Sequence, residues 1–410
     1  MQQNREKFSS RFVTILVMVG AAVGLGNVWR FPYMMGANGG GTFLLFYILF
    51  TALIAIPAMT GELTLGRKTR SGSITAFETA LGSVFGRYIG WIMVMCYLIS
   101  SSAYLVILGN LLFASVFAVS SGFDANATPE YEAYLSNGWL QYSLAIVVLM
   151  GALFVVHLGV VKGIERVSKI IVPLFSMVLI YLVVRTFMMD GATDYMLDFL
   201  TPDWSVVDND LIFAALGQAF FSLGLGGTIM VIYGSYMSKD EKIINTAAST
   251  ALFDGGAALL ATLFIVPTVL IFGLNMSQGP TLLFHTLPQA FAVLPGGHFI
   301  GAVFLISLFL VAVLSQVATL EAVVGSISER LKGTNRRKKI ILALLIIEAP
   351  MIIPSAHDPD FIAKVDLYFG SGMQILGSGL AVLVITRFLS KFEFMQQVFG
   401  QVSLAWHNHF

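Results

Sequence analysis

Long apolar stretches and short polar ones alternate along the chain. Apolar runs near residues 11–35, 42–66, 88–118, 139–159, 165–188, 209–236, 243–274, 299–330, 337–354 and 361–388 each approach or exceed the length of about 20 residues that a helix needs to cross a bilayer. The pattern predicts ten transmembrane helices. Two runs carry too many glycines to remain continuous: GAAVGLGNVWRFPYMMGANGGG at 20–41 and FFSLGLGG at 220–227. Glycine costs about 1 kcal/mol in a helix interior. Freed backbone is tolerated at membrane depth only where protein buries it or where it lines a cavity. The first and sixth helices are therefore read as broken, each offering bare carbonyl oxygens. The run at 279–294, punctuated by Pro280 and Pro288, is read as a short external re-entrant hairpin.

Composition agrees with a membrane protein, since 57% of residues are hydrophobic and 11% charged. Charge then orients it. With the N-terminus inside, all of the 23 basic residues except Arg30, Arg185 and Lys364 fall in internal segments, as the positive-inside rule requires. External segments carry acids such as Glu130, Glu132, Asp190, Asp194 and Asp203. Arg5, Lys7 and Arg11 ahead of an apolar run resemble a secretory leader, but cleavage there would destroy the first glycine break. The chain is read as one transporter domain, 1–410, with repeats over about 11–188 and 209–388 and a tail over 389–410.

Five helices per repeat is an odd number, so the second set enters the membrane from the opposite face. Each set opens with a broken helix, and inversion brings the breaks together near the midplane. There half-helix N-termini favour an anion and carbonyl ends favour a cation. A zwitterion with a sodium ion suits such a place. An enzyme is not expected, since no phosphate loop or nucleophile–base pair is present, and nothing points to nucleic acid. The histidines have no metal-ligand spacing, His407 and His409 falling in the tail. Cys96 stands alone, and the triplets at Asn126 and Asn275 arise by chance.

GLGNVWRFPYMMGANGGGTF at 24–43 and GELTLGR at 61–67, followed by GIERVSKIIVP at 163–173, GQAFFSLGLG at 217–226, YGSYMSKDE at 233–241, GPTLLFHTLP at 279–288 and LSQVATLEA at 314–322, resemble the sodium-coupled neurotransmitter and amino-acid symporters. The bacterial members of that family share the leucine-transporter fold. The resemblance covers nearly the whole chain and implies an all-α polytopic protein of five-plus-five inverted repeats with discontinuous helices one and six. It also implies amino-acid uptake into a bacterial cell, across the cytoplasmic membrane.

Position by position, the resemblance implies a first sodium site at Ala22, Asn27, Ser222 and Asp254 with the substrate carboxylate. Hard oxygen ligands suit sodium. Asp254 stands where the family usually has Asn, and an acid there is associated with chloride independence, so no chloride requirement is expected. The implied second site uses Gly20, Val23, Val311 and Ser315. Leu314, where Thr or Asp is usual, removes an oxygen and leaves the count at one or two ions. Substrate contacts are implied at Ala21, Ala22, Leu25, Gly26, Ser100, Tyr104, Phe221, Ser222, Gly224, Gly227, Ser315 and Thr319. Gly24 lacks the carboxylate that monoamine carriers place there, so the substrate brings its own. Gly227, often Phe, together with Ser100 and Thr319, leaves room for a bulky side chain.

Implied gates are Arg30 with Asp366 outside and Arg5 with Glu329 inside, assisted by Tyr236, while Phe221 and Tyr104 form a thin outer lid. Relatives usually have eleven or twelve helices, so a chain ending after ten is expected to be naturally short or cut before helix eleven. Its oligomeric state is left open. Two other readings stand beside the symporter: a proton-coupled amino-acid carrier of the same fold, and a non-transporting amino-acid sensor.

Overall fold

The computed structural model describes residues 7–123, 127–274, 282–294 and 296–400. Arg5, Asn126, Asn275, Pro280, His407 and His409 lie outside them. All ten expected spans are helical. Eight run as single apolar helices: Gly41–Thr69, Phe85–Ser120, Gly138–His157, Val160–Phe187, Ile243–Ile271, Gly297–Ser328, Arg336–His357 and Pro359–Phe388. They are the second to fifth and the seventh to tenth spans. The first is a bent pair, Arg11–Ala22 and Gly26–Ala37, turned by 58°. The sixth is Asn209–Ser222 followed, after an unwound stretch, by Ile229–Tyr236. The described residues contain no strand.

Proline follows three of the five wide π turns among the described residues. The wide π turns Gly26–Arg30, Thr51–Ala55 and Leu282–Thr286 each pass into an α-helix with proline in its first turn, at Pro32, Pro57 and Pro288. A proline ring clashes with the carbonyl four residues back and donates no N–H; a one-residue π bulge relieves both. For this reason Pro288 does not break the described stretch, 282–293. The described part is a single short helix, Leu282–Val293, and the start of the expected hairpin lies outside the described residues. Its Phe291 packs against Phe264 and Phe304.

Glycines set how closely the spans approach. A Cβ on Gly66 would lie 1.8 Å from the carbonyl oxygen of Val231, and one on Gly234 would lie 2.3 Å from that of Leu63. The second span and the inner half of the sixth thus cross backbone to backbone, the small-residue contact that replaces hydrophobic driving force in lipid. The outer faces carry exposed Leu53, Phe154, Ile180, Phe213, Leu252 and Leu383, as lipid contact requires.

Candidate functional site

Both breaks sit where the glycine pattern placed them, and side chains satisfy their freed backbone. In the sixth span, Gly224, Gly226 and Gly227 have φ of 60°, 154° and 73°, conformations that side-chain-bearing residues rarely adopt. Glu62 on the second span accepts from Gly226 N at 2.9 Å. Tyr97 on the third donates to the carbonyls of Gly224 and Leu225 at 3.3 and 3.2 Å, and Ser73 donates to Gly227 O at 2.8 Å. At the first break, Asn27 Oδ1 accepts from Gly24 N at 3.0 Å, and Gln218 Nε2 donates to Gly26 O at 3.2 Å. The unwound backbone is thus held open by fixed polar partners, as a membrane interior demands.

Between the breaks lies a polar cluster. Asn27 Nδ2 donates to Asp254 Oδ1 at 2.7 Å, and Ser222 Oγ donates to Asp254 Oδ2 at 2.5 Å. Asn27 also reaches Ser222 Oγ at 3.3 Å and the Asp254 carbonyl at 3.0 Å. Asp254 and Asn27 are wholly buried and Ser222 nearly so. Three of the four residues expected at the first sodium site therefore touch one another, and the fourth, Ala22, lines the adjoining cavity. While the Asn27 amide turns its Nδ2 toward them and its Oδ1 to the Gly24 N–H, a carboxylate and a hydroxyl at the open end of a helix form a hard-oxygen donor set with one negative charge. Its chemistry fits a small monovalent cation.

The second set is assembled less completely. Ser315 Oγ reaches Val23 O at 3.4 Å. Leu314 packs directly on Gly20: a Cβ there would meet Leu314 Cδ1 at 3.0 Å, with Val172 and Ser168 Oγ close behind. Hydrocarbon fills the place beside Gly20 where an oxygen was sought. Val311, on the same face of the eighth span, is buried.

Eleven of the twelve expected substrate residues line a single cavity that encloses about 820 Å³ of empty space, part of it open to the exterior. Gly227 is the exception. Its Cβ position faces Gly377 O and Phe77 at 3.0 and 3.2 Å, so the residue packs toward the tenth span and the helix Ser73–Leu81. The room attributed to a missing Phe at this position is therefore not in the cavity. The wall instead includes residues that sequence reasoning passed over: Tyr97, Ser101, Gln316, Ile362, Val365 and Gln374. Ser101 and Gln316 are polar positions on largely apolar spans, shared there with other polar residues.

At one end of the cavity, Asp366 lines the wall. The Arg30 guanidinium stacks over the Phe221 ring at 4.4 Å and donates to Gln218 Oε1 at 3.1 Å, with its charge acting on Asp366. At the other end, where Arg5 of the expected pair lies outside the described residues, other contacts stand. Tyr236 donates to Glu321 at 2.6 Å, and Glu321 also accepts from Arg337. Glu329 accepts from the Gly72 amide at 2.8 Å. A hydroxyl on the sixth span reaches the acid facing it on the eighth, and Glu329 lies two turns further along that helix. The N-terminal segment adds a plug: Ser9 donates through N and Oγ to Glu165, each at 2.8 Å. Phe8 stands edge-on to Tyr233 and Tyr236. Glu165 belongs to the GIERVSK stretch, whose role in sequence was only that of a match.

Comparison with known proteins agrees with this architecture. The family model for the sodium:neurotransmitter symporter family matches residues 5–128 and 131–404. A relative from Bacillus subtilis, named the uncharacterized sodium-dependent transporter YhdH, is 34% identical over 342 residues, 82% of this chain and 75% of the relative. The sodium-dependent neutral amino acid transporter B(0)AT2 of Pongo abelii is 30% identical over 67% of this chain and 42% of its own length. The crystal structure of MhsT in complex with L-phenylalanine superposes with a TM-score of 0.87 at 32% identity, over 98% of this chain and 95% of that one. The broken first and sixth helices belong to a leucine-transporter fold, and the chain belongs to the sodium:neurotransmitter symporter family, whose members are sodium-dependent membrane transporters and not enzymes.

Proposed function

We propose that the protein is a chloride-independent symporter that carries one amino acid into a bacterial cell with one sodium ion, by alternating access across the cytoplasmic membrane. The observation that carries this reading is the Asn27–Ser222–Asp254 cluster, buried where the two helix breaks meet and adjoining the cavity. Sodium binds there against the Asp254 charge and the Ala22 carbonyl. The substrate carboxylate completes the shell, and its ammonium group takes carbonyls from the unwound sixth span. Gly24, flanked by Ser315 Oγ and Tyr104, supplies no acid, so the carboxylate comes with the substrate. The phenylalanine in MhsT and the neutral amino acids in the name of B(0)AT2 support this class.

A single ion follows from Leu314. With hydrocarbon against Gly20, the second set offers the Val23, Val311 and Gly20 carbonyls and one hydroxyl, Ser315. A zwitterion with one sodium moves one charge. At 100 mV that contributes about 2.3 kcal/mol, and a tenfold sodium gradient adds about 1.4 kcal/mol. Together they support accumulation of several hundredfold.

The distribution of basic residues supports an N-terminus in the cytoplasm, with the Arg30–Asp366 end facing outward and the Glu165–Tyr236 end inward. The N-terminal plug at Ser9 and Phe8 then closes the inner side while the cavity reaches Asp366. Release to the cytoplasm requires the contacts of Tyr236, Glu321 and Arg337 to part. Purified protein in liposomes tests the reading. Sodium-driven, chloride-independent uptake of a labelled amino acid supports it. Uptake driven only by a pH gradient makes it a proton-coupled carrier, and binding without uptake makes it a sensor.

A further inference from the structure

One wall of the cavity carries a polar relay that neither the sodium cluster nor the gates use. Glu348, in the middle of the ninth span, is wholly buried. Its Oε1 accepts from Ser101 Oγ on the third span at 3.0 Å, and Ser101 Oγ in turn accepts from Gln316 Nε2 on the eighth at 2.7 Å. Ser101 and Gln316 both line the cavity, and both are buried. Beyond this chain, Gln316 Oε1 and Glu348 Oε2 meet no hydrogen-bond donor among the described residues.

The direction of the relay fixes its chemistry. The Ser101 hydroxyl spends its proton on Glu348 Oε1 and presents its lone pairs to Gln316 Nε2. That leaves the Gln316 amide one orientation, with NH2 toward Ser101 and the carbonyl oxygen unpaired. A buried acceptor without a donor is costly. Ser100 and Thr319 line the same cavity. The Thr319 hydroxyl is turned back to the Ser315 carbonyl at 3.1 Å, so it does not supply the missing donor.

We propose that Gln316, held by Ser101 and Glu348, is a specificity residue that selects amino acids whose side chain ends in a hydrogen-bond donor. The selected class comprises hydroxyl, amide, indole N–H or cationic termini in preference to apolar side chains of the same shape. This rests on the amino-acid symport reading and deepens it. Gln316 is the group that meets the ligand, and Ser101 and Glu348 position it.

The test is a thermal-shift titration of the purified full chain in sodium with near-isosteric pairs: L-tyrosine against L-phenylalanine, L-threonine against L-valine, L-asparagine against L-leucine, and L-lysine against L-norleucine. In at least one pair the donor-bearing member binds about tenfold tighter or more, the discrimination expected of a buried acceptor. Gln316→Met brings that ratio below about threefold. Ser101→Ala, which frees the amide to rotate, lowers it as well and carries the test if Gln316→Met does not fold. A ratio within one pair is indifferent to a general loss of stability, so a merely structural role would leave it unmoved. Equal or tighter binding of the apolar member in every pair overturns the proposal while symport stands, as does a ratio that survives in both variants. Absence of sodium-dependent stabilisation by any amino acid overturns the symport reading, and this inference with it.

Discussion

Asp254→Asn is the substitution that most directly examines the sodium site. It keeps the shape and one acceptor oxygen but removes the only formal charge in the cluster. Asn27 Nδ2 and Ser222 Oγ now each donate to a carboxylate oxygen, at 2.7 and 2.5 Å. In the variant one of those donors loses its acceptor, and the serine hydroxyl can turn to accept from the new amide, so the fold is expected to survive. The loss falls on the bound cation. Two unit charges about 4 Å apart at an effective permittivity of about 20 interact by about 4 kcal/mol, and the fold buries the carboxylate whether or not the ion is present. The sodium concentration for half-maximal uptake should therefore rise by roughly two to three decades. If the charge is what dispenses with chloride, adding chloride should restore at least about tenfold of the loss in the variant. Replacing chloride by gluconate should leave the native protein unaffected. Initial rates of labelled substrate uptake into liposomes, at graded sodium with either anion, give both numbers. A variant whose sodium dependence moves less than about threefold, or a native protein that stops working in gluconate, refutes the argument.

Three further outcomes follow from other parts of the molecule. Leu314→Ser removes the hydrocarbon beside Gly20 and restores a hydroxyl, so the sodium dependence of uptake should steepen from a Hill coefficient of about 1 toward about 2; active transport that stays non-cooperative rejects the one-ion assignment. Arg337→Ala strands the buried Glu321 carboxylate, a class of change that costs about 3–5 kcal/mol. Thermal unfolding should show a marked loss, most of it recovered by adding Glu321→Gln, and equal stability of the single variant and the native protein contradicts the pairing. Gly66→Val drives a side chain into the Val231 carbonyl and should abolish monodisperse protein in size-exclusion chromatography. Gly151→Ala, with nothing within 4 Å of its added Cβ, should be neutral.

Span number, the two interrupted helices and the position of each break were determined by the sequence alone. Bilayer thickness sets how long an apolar run must be, and glycine density sets where a helix fails, and both act locally along the chain. The prolines after the π turns belong to the same class, although here only Pro288 was weighed, and weighed as a helix breaker. Asn27, Ser222 and Asp254 were also identifiable, because their positions follow motifs that resemble a family.

Side-chain direction and cross-helix partnership were decided only by the tertiary structure. Gly227 sits in the right motif yet faces Phe77 and Gly377. Tyr236 reaches Glu321, and Glu348 reaches the cavity through Ser101 and Gln316, residues 247 and 215 positions apart in the pairs they form. Helix rotation and crossing distance govern such contacts, and these are set by how glycines let neighbouring spans approach. That information belongs to pairs of helices and is absent from the period of either one.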